Sequence, residues 1–168
     1  HLVGQSMGGY SVLRCALDQP ARVNTLTLSC TPAGIPIPNP TESVKNLGAR
    51  GAEGIQATMS KKTFENPALV QLYASIQSFN TEFSFERLSA LRREEDQVNI
   101  DLLGSMEIPT LFISGREDPL FLPEQLSQLV PHFHSASIKI VDDAGHSPYF
   151  EQPTVFNKLL SDHINQNL

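Results

Sequence analysis

Tryptophan is absent from this chain, and only two residues are cysteine. Two thiols make no disulfide framework, so the fold must rest on its core. Cys15 and Cys30 read as small buried apolar residues in a reducing, cytoplasmic compartment. Basic residues are the minority: 12 Lys and Arg against 18 Asp and Glu give a formal net charge of -6. With no Lys/Arg-rich run either, the sequence argues against a nucleic-acid partner. No apolar run approaches the roughly 20 residues that span a bilayer. No secretory signal opens the chain, and there is no internal repeat or low-complexity segment. What is present is 168 residues, 40% hydrophobic and 18% charged, which suits a globular core.

The apolar periodicity switches repeatedly between strand and helix. Leu2-Val3 reads as the end of a strand, and Gly4 to Gly9 as a tight turn. Val12, Leu13, Ala16 and Leu17 then recur at helical spacing until Pro20. Val23 to Cys30 alternates and is rich in β-branched residues, the pattern of a strand. Four prolines between Thr31 and Pro40 mark a loop. From about Glu42 to Glu107 no strand signal occurs. Leu69, Leu72, Tyr73, Ile76 and Phe79 predict a helix after Pro67, and Phe83, Leu88 and Leu91 predict another. A weaker helix runs through Val44 and Leu47. Strand and helix alternate again from Pro109: a buried strand to Gly115, a short helix at Leu126 to Val130, and a strand over Ser137 to Val141. A last helix carries Val155, Phe156, Leu159, Leu160 and Ile164. Such an order predicts an α/β domain, a parallel sheet flanked by helices with a helical insertion.

Three short motifs carry chemistry. Gly4-Gln5-Ser6-Met7-Gly8-Gly9 joins a strand to a helix, as a nucleophile elbow does. The sharp turn lifts the Ser6 hydroxyl out of the sheet, and Gly4 and Gly8 leave room for close packing of strand and helix. The following helix N-terminus offers the Met7 N–H to a developing oxyanion. The bland alternative is a Gly-rich turn with an incidental serine. Gly145-His146-Ser147-Pro148-Tyr149 follows a strand, and His146 is the candidate base. His132 and His134 read as solvated, because no third metal ligand has sensible spacing, and His163 as a surface or partly buried helix residue. Gly115-Arg116-Glu117-Asp118-Pro119 also follows a strand. Asp118 is the candidate acid that orients His146; Glu117, Asp142 and Asp143 are its competitors.

Taken in their order, these motifs resemble the α/β-hydrolase superfamily, in the branch of small-molecule esterases, enol-lactonases and carbon–carbon bond hydrolases. The resemblance implies an α/β-hydrolase fold in part only, the C-terminal half of its parallel sheet. Residues 1–33 and 108–168 would form the core and 34–107 a helical cap over the site. It implies a Ser6–His146–Asp118 triad with no cofactor and no metal, acting on a small-molecule substrate. A serine at the elbow argues against the relatives that use an aspartate nucleophile. An ester or lactone is the leading substrate class. A carbon–carbon bond of a ring-cleavage product is the alternative, although those enzymes often carry an aromatic residue where Ser147 stands. A hydrolase-like ligand-binding protein is a third reading.

The family pattern also places strands and a second oxyanion donor before the elbow. Since the chain opens at His1 inside a strand, it reads as a fragment, and residues 1–168 alone are expected to be poorly active and prone to aggregate through an open strand edge. A homo-oligomer covering that edge is the alternative.

Overall fold

A strand buried at every position must be covered on both faces, and the sheet is built around one. The computed structural model describes residues 1–42, 57–81 and 97–168. Over these residues four strands lie in sequence order and all pair in parallel: β1 (Leu2–Gln5), β2 (Leu26–Ser29), β3 (Thr110–Gly115) and β4 (Ala136–Val141). All six residues of β3 are buried. Side chains alternate across a strand, so its neighbours on the two faces differ. Phe112 joins Leu13, Leu26, Leu28, Leu103, Leu126 and Phe133 on one face. Leu111 and Ile113 meet Val141, Ala144 and Phe156 on the other.

The helices follow from the same logic. Helix α1 (Met7–Asp18) buries Gly9, Leu13 and Ala16, a stripe at helical spacing that packs on β1 and β2. Cys15 points away from this stripe and is exposed, so the expectation that both thiols are buried holds only for Cys30. β2 is shorter than the alternating run suggests. Residues 23–25 are irregular backbone between a 3-10 turn at Pro20–Arg22 and the first ladder residue Leu26, and Cys30 leaves the ladder with a positive φ of 46°.

The connection from β2 to β3 contains no strand among the described residues. It carries α2 (Lys61–Phe64), α3 (Pro67–Gln77) and a 3-10 segment at Ile100–Ser105. Ser60 caps α2 by accepting the Thr63 N–H, and Asn66 caps α3 by accepting the Leu69 N–H. The apolar stripe of α3 is not a buried one among the described residues: Leu72, Ile76 and Phe79 are exposed, as is Phe64. Leu69 and Tyr73 are half-buried, and Tyr73 lies edge-on to Phe150. The helices expected through Val44 and Leu47, and through Phe83, Leu88 and Leu91, lie outside the described residues.

After β3 come α4 (Pro123–Ser127), β4, a single turn α5 (Pro148–Glu151) and α6 (Pro153–Asn165). Phe156, Leu159 and Leu160 of α6 cover the second face of the sheet. Val155 lies one position off that face and is exposed. No helix of the described residues is long and apolar enough to cross a membrane.

Candidate active site

Parallel register brings the three motif loops to one edge. Gln5 of β1 pairs with Ser29 of β2, Ser29 with Ile113 of β3, and Gly115 with Val141 of β4. The turns after β1, β3 and β4 therefore open at the same C-terminal edge, where open parallel sheets gather their ligands.

Ser6 stands between β1 and α1 with φ 49° and ψ -119°, a conformation that costs a non-glycine residue about 1–3 kcal/mol. The backbone holds it there: Ser6 N donates to Ser29 O, and Gly9 N donates to Ser6 O. Ser6 is the N-cap of α1, yet its side chain makes no capping bond. Met7 occupies the first helical position, whose N–H has no acceptor within a helix. The glycines divide their work differently from the sequence expectation. A Cβ on Gly4 would meet Val12 and lie 2.7 Å from the Gly9 Cα, and one on Gly9 would lie 2.7 Å from Thr31 Oγ1. A Cβ on Gly8 would meet nothing within 4 Å. Close packing of α1 thus rests on Gly4 and Gly9; Gly8 makes no steric demand among the described residues.

The Ser6 hydroxyl lies 2.8 Å from His146 Nε2, and His146 Nδ1 lies 3.0 Å from Asp118 Oδ2. Donor and acceptor follow from chemistry. An ionised Asp118 only accepts, so Nδ1 carries the ring proton; Nε2 of the neutral ring then accepts from Ser6. Asp118 is 1% exposed, and its other oxygen accepts from Leu120 N at 2.8 Å and Phe121 N at 3.3 Å. The competing carboxylates are engaged elsewhere. Glu117 accepts from Lys61 N, Asp142 pairs with Arg116, and Asp143 pairs with Lys62 at 2.7 Å. His132 and His134 are exposed, and His163 is half-buried in α6.

Several neighbours of this constellation carry no sequence signal. Gln5 Nε2 donates to His146 O at 2.6 Å, and His146 N donates to Thr58 O at 2.8 Å. Phe121 lies 6.0 Å from the His146 ring. Tyr73 of α3 hydrogen-bonds Ser147, beside the histidine, at 3.0 Å. Burial pushes the Tyr73 phenol up to about 12, against the opposing pull of that bond. Cys30 Sγ, Asp118 and His146 place ligand atoms within 4.8 Å of one another. Both imidazole nitrogens there already face protein partners, however. Burial, reinforced by the Asp118 carboxylate, also pushes the Cys30 thiol well above its ordinary range. A thiol kept protonated is a poor ligand, so the group reads as a hydrogen-bonded cluster.

Similar proteins were found at three levels. A family model described as serine aminopeptidase, S33 matches residues 1–153. A 2-hydroxy-6-oxononadienedioate/2-hydroxy-6-oxononatrienedioate hydrolase of Paraburkholderia xenovorans is 30% identical over 178 residues, covering 98% of this chain and 61% of that protein. A monoacylglycerol lipase of Xenopus laevis, abhd6-A, is 26% identical over 98% of this chain and 54% of its own length. Among solved structures, a 2-hydroxy-6-oxo-6-phenylhexa-2,4-dienoate hydrolase from Rhodococcus matches with a TM-score of 0.79. Its identity is 21%, and the match covers 98% of this chain and 63% of that one. This chain therefore spans less than two thirds of the length of these relatives.

Proposed function

Because the chain belongs to the serine aminopeptidase S33 family of α/β-hydrolases, we propose that it carries the catalytic residues of a serine hydrolase acting on a small-molecule ester or lactone. The observation that carries this reading is the continuous relay Ser6 Oγ–His146 Nε2 at 2.8 Å and His146 Nδ1–Asp118 Oδ2 at 3.0 Å.

In this mechanism Ser6 Oγ attacks the substrate carbonyl carbon while its proton passes to His146 Nε2. Asp118 stabilises the resulting imidazolium and keeps the ring oriented. The carbonyl oxygen becomes an oxyanion, and the Met7 N–H at the start of α1 is one donor to it. His146 then protonates the departing alkoxide, leaving an acyl group on Ser6. A water molecule, deprotonated by His146, attacks that acyl carbon and releases the acid. Within the 34–107 segment, the described helices α2 and α3 act as a cap over Ser6, and the reach of Tyr73 to Ser147 supports that placement. The mechanism uses no metal or cofactor.

A second reading is favoured by the 30% identity to a protein named for hydrolysing 2-hydroxy-6-oxononadienedioate. There the same serine would attack a ketone, and a carbon rather than an oxygen would leave. Full-length protein is to be assayed with p-nitrophenyl esters of short acids, a simple lactone and a 2-hydroxy-6-oxodienoate. A fluorophosphonate label on Ser6 and higher kcat/KM for esters or lactones support the first reading. Higher kcat/KM for the dienoate supports the second. If Ser6→Ala turns over all three like wild type, both fail.

A further inference from the structure

The loop that carries His146 is short, and a base must be held within a fraction of an ångström of its nucleophile to work. What holds it leads to a residue outside the relay. Glu151 is 7% exposed although ionisable, so its carboxylate needs strong partners. It closes the single turn α5, where Glu151 N donates to Ser147 O, and the turn folds its side chain back over the histidine loop. Oε1 accepts from Gly145 N at 2.9 Å and from Ser147 N at 3.1 Å, the backbone groups on either side of His146. Oε2 accepts from Ser60 N at 2.7 Å, 91 residues away in sequence. The same two segments are joined again by His146 N donating to Thr58 O. Their approach is close enough that a Cβ on Gly145 would lie 2.7 Å from both Met59 C and Ser60 N.

We propose that Glu151 is a positioning residue for the base: its buried carboxylate clamps the backbone on both sides of His146 to the Thr58–Ser60 segment, so the cap and the base are held as one unit. The proposal rests on the serine-hydrolase reading for its effect on turnover. Glu151 touches neither Ser6 nor the substrate carbonyl in that mechanism. It acts by denying the histidine loop the freedom to drift from Ser6 and Asp118. Charge-assisted bonds from three N–H groups to one carboxylate suit this task, because they are short, strong and directional.

The test uses full-length protein with Glu151→Ala and Glu151→Gln, each corrected for its folded fraction. Glu151→Ala is expected to lower kcat about 100-fold with KM changed less than about threefold, the signature of a misplaced catalytic group. Glu151→Gln keeps one carbonyl oxygen for Gly145 and Ser147 but turns an NH2 toward the Ser60 N–H. It should leave kcat about three- to tenfold below wild type, a partial recovery. Amide hydrogen exchange reads the clamp without reference to activity. In Glu151→Ala the Gly145, Ser147 and Ser60 amides should exchange at least about tenfold faster, and in Glu151→Gln the Ser60 amide alone should do so. If Glu151→Ala does not fold, the glutamine variant carries both measurements. A kcat per folded molecule within about twofold of wild type in either variant overturns the positioning role. Unchanged exchange at Ser60 overturns the clamp itself. Ser6→Ala in the same assay isolates failure of the underlying reading: if it keeps wild-type turnover, the triad is wrong, and the exchange data still decide the clamp.

Discussion

Replacing Asp118 by asparagine tests the proposed relay more sharply than removing it. The carboxylate is 1% exposed and has two distinct ends. Oδ1 faces two donors, Leu120 N at 2.8 Å and Phe121 N at 3.3 Å, while Oδ2 faces His146 Nδ1 at 3.0 Å. In Asp118→Asn the single carbonyl oxygen must stay with the two backbone donors. Turning the amide over would set its NH2 against both N–H groups, at about 1–3 kcal/mol for each buried group left unsatisfied. The NH2 therefore faces His146. An amide NH2 cannot accept, so the ring presents a bare Nδ1 and carries its proton on Nε2. That nitrogen now donates toward Ser6 and cannot take its proton. A tautomer reversal of this kind costs about 10⁴ in kcat, or about 5.4 kcal/mol in the barrier. The fold should survive, since the bonds to Leu120 and Phe121 remain. Steady-state hydrolysis of an activated ester by full-length wild type and Asp118→Asn, with circular dichroism to confirm folding, is the assay. Turnover above about a tenth of wild type in a folded variant would refute both the tautomer argument and the role of Asp118.

Three further outcomes follow from the packing and from the Tyr73 phenol. Gly9→Ala should destabilise the protein by about 1–3 kcal/mol in urea unfolding, because Thr31 is held by accepting the Ala33 N–H and cannot easily yield. Gly8→Ala should stay within about 0.5 kcal/mol, and equal effects at the two sites would refute the assignment of steric duty. Phe112→Ala removes a fully buried ring 5.4 Å from Phe133 and should cost about 3–5 kcal/mol; a loss under about 1 kcal/mol would refute its central place in the core. Folded Tyr73 keeps its proton up to about 12, whereas an unfolded tyrosine releases it near 10.0. Below pH 10 the shift leaves stability untouched, and between about pH 10 and 12 the unfolded state gains by ionising, so stability falls. Tyr73→Phe should flatten that alkaline slope in pH-dependent thermal unfolding, and an unchanged slope would count against the burial of Tyr73.

Local chemistry made the alternation of elements legible in the amino-acid order alone. The apolar run Thr110–Gly115, the helical stripe Leu13 and Ala16, and Pro153 opening the last helix each follow from periodicity or backbone restriction within a few residues. The candidates Ser6, Asp118 and His146 were legible for the same reason: each sits in a glycine-bearing turn just past a strand. What the amino-acid order could not supply is which atoms meet across it. Parallel register brings Ser6 within reach of His146 across 140 positions, and the engagement of Glu117, Asp142 and Asp143 with Lys61, Arg116 and Lys62 separates them from Asp118. Helical phase exposed Cys15 and Val155, because one residue is a turn of about 100° and an apolar side chain names no direction. Gln5, Thr58 and Glu151 escaped notice entirely. Their contacts are to backbone groups of distant segments, and a backbone donor or acceptor is present at nearly every residue. It becomes specific only when the tertiary fold brings one particular peptide beside one particular side chain.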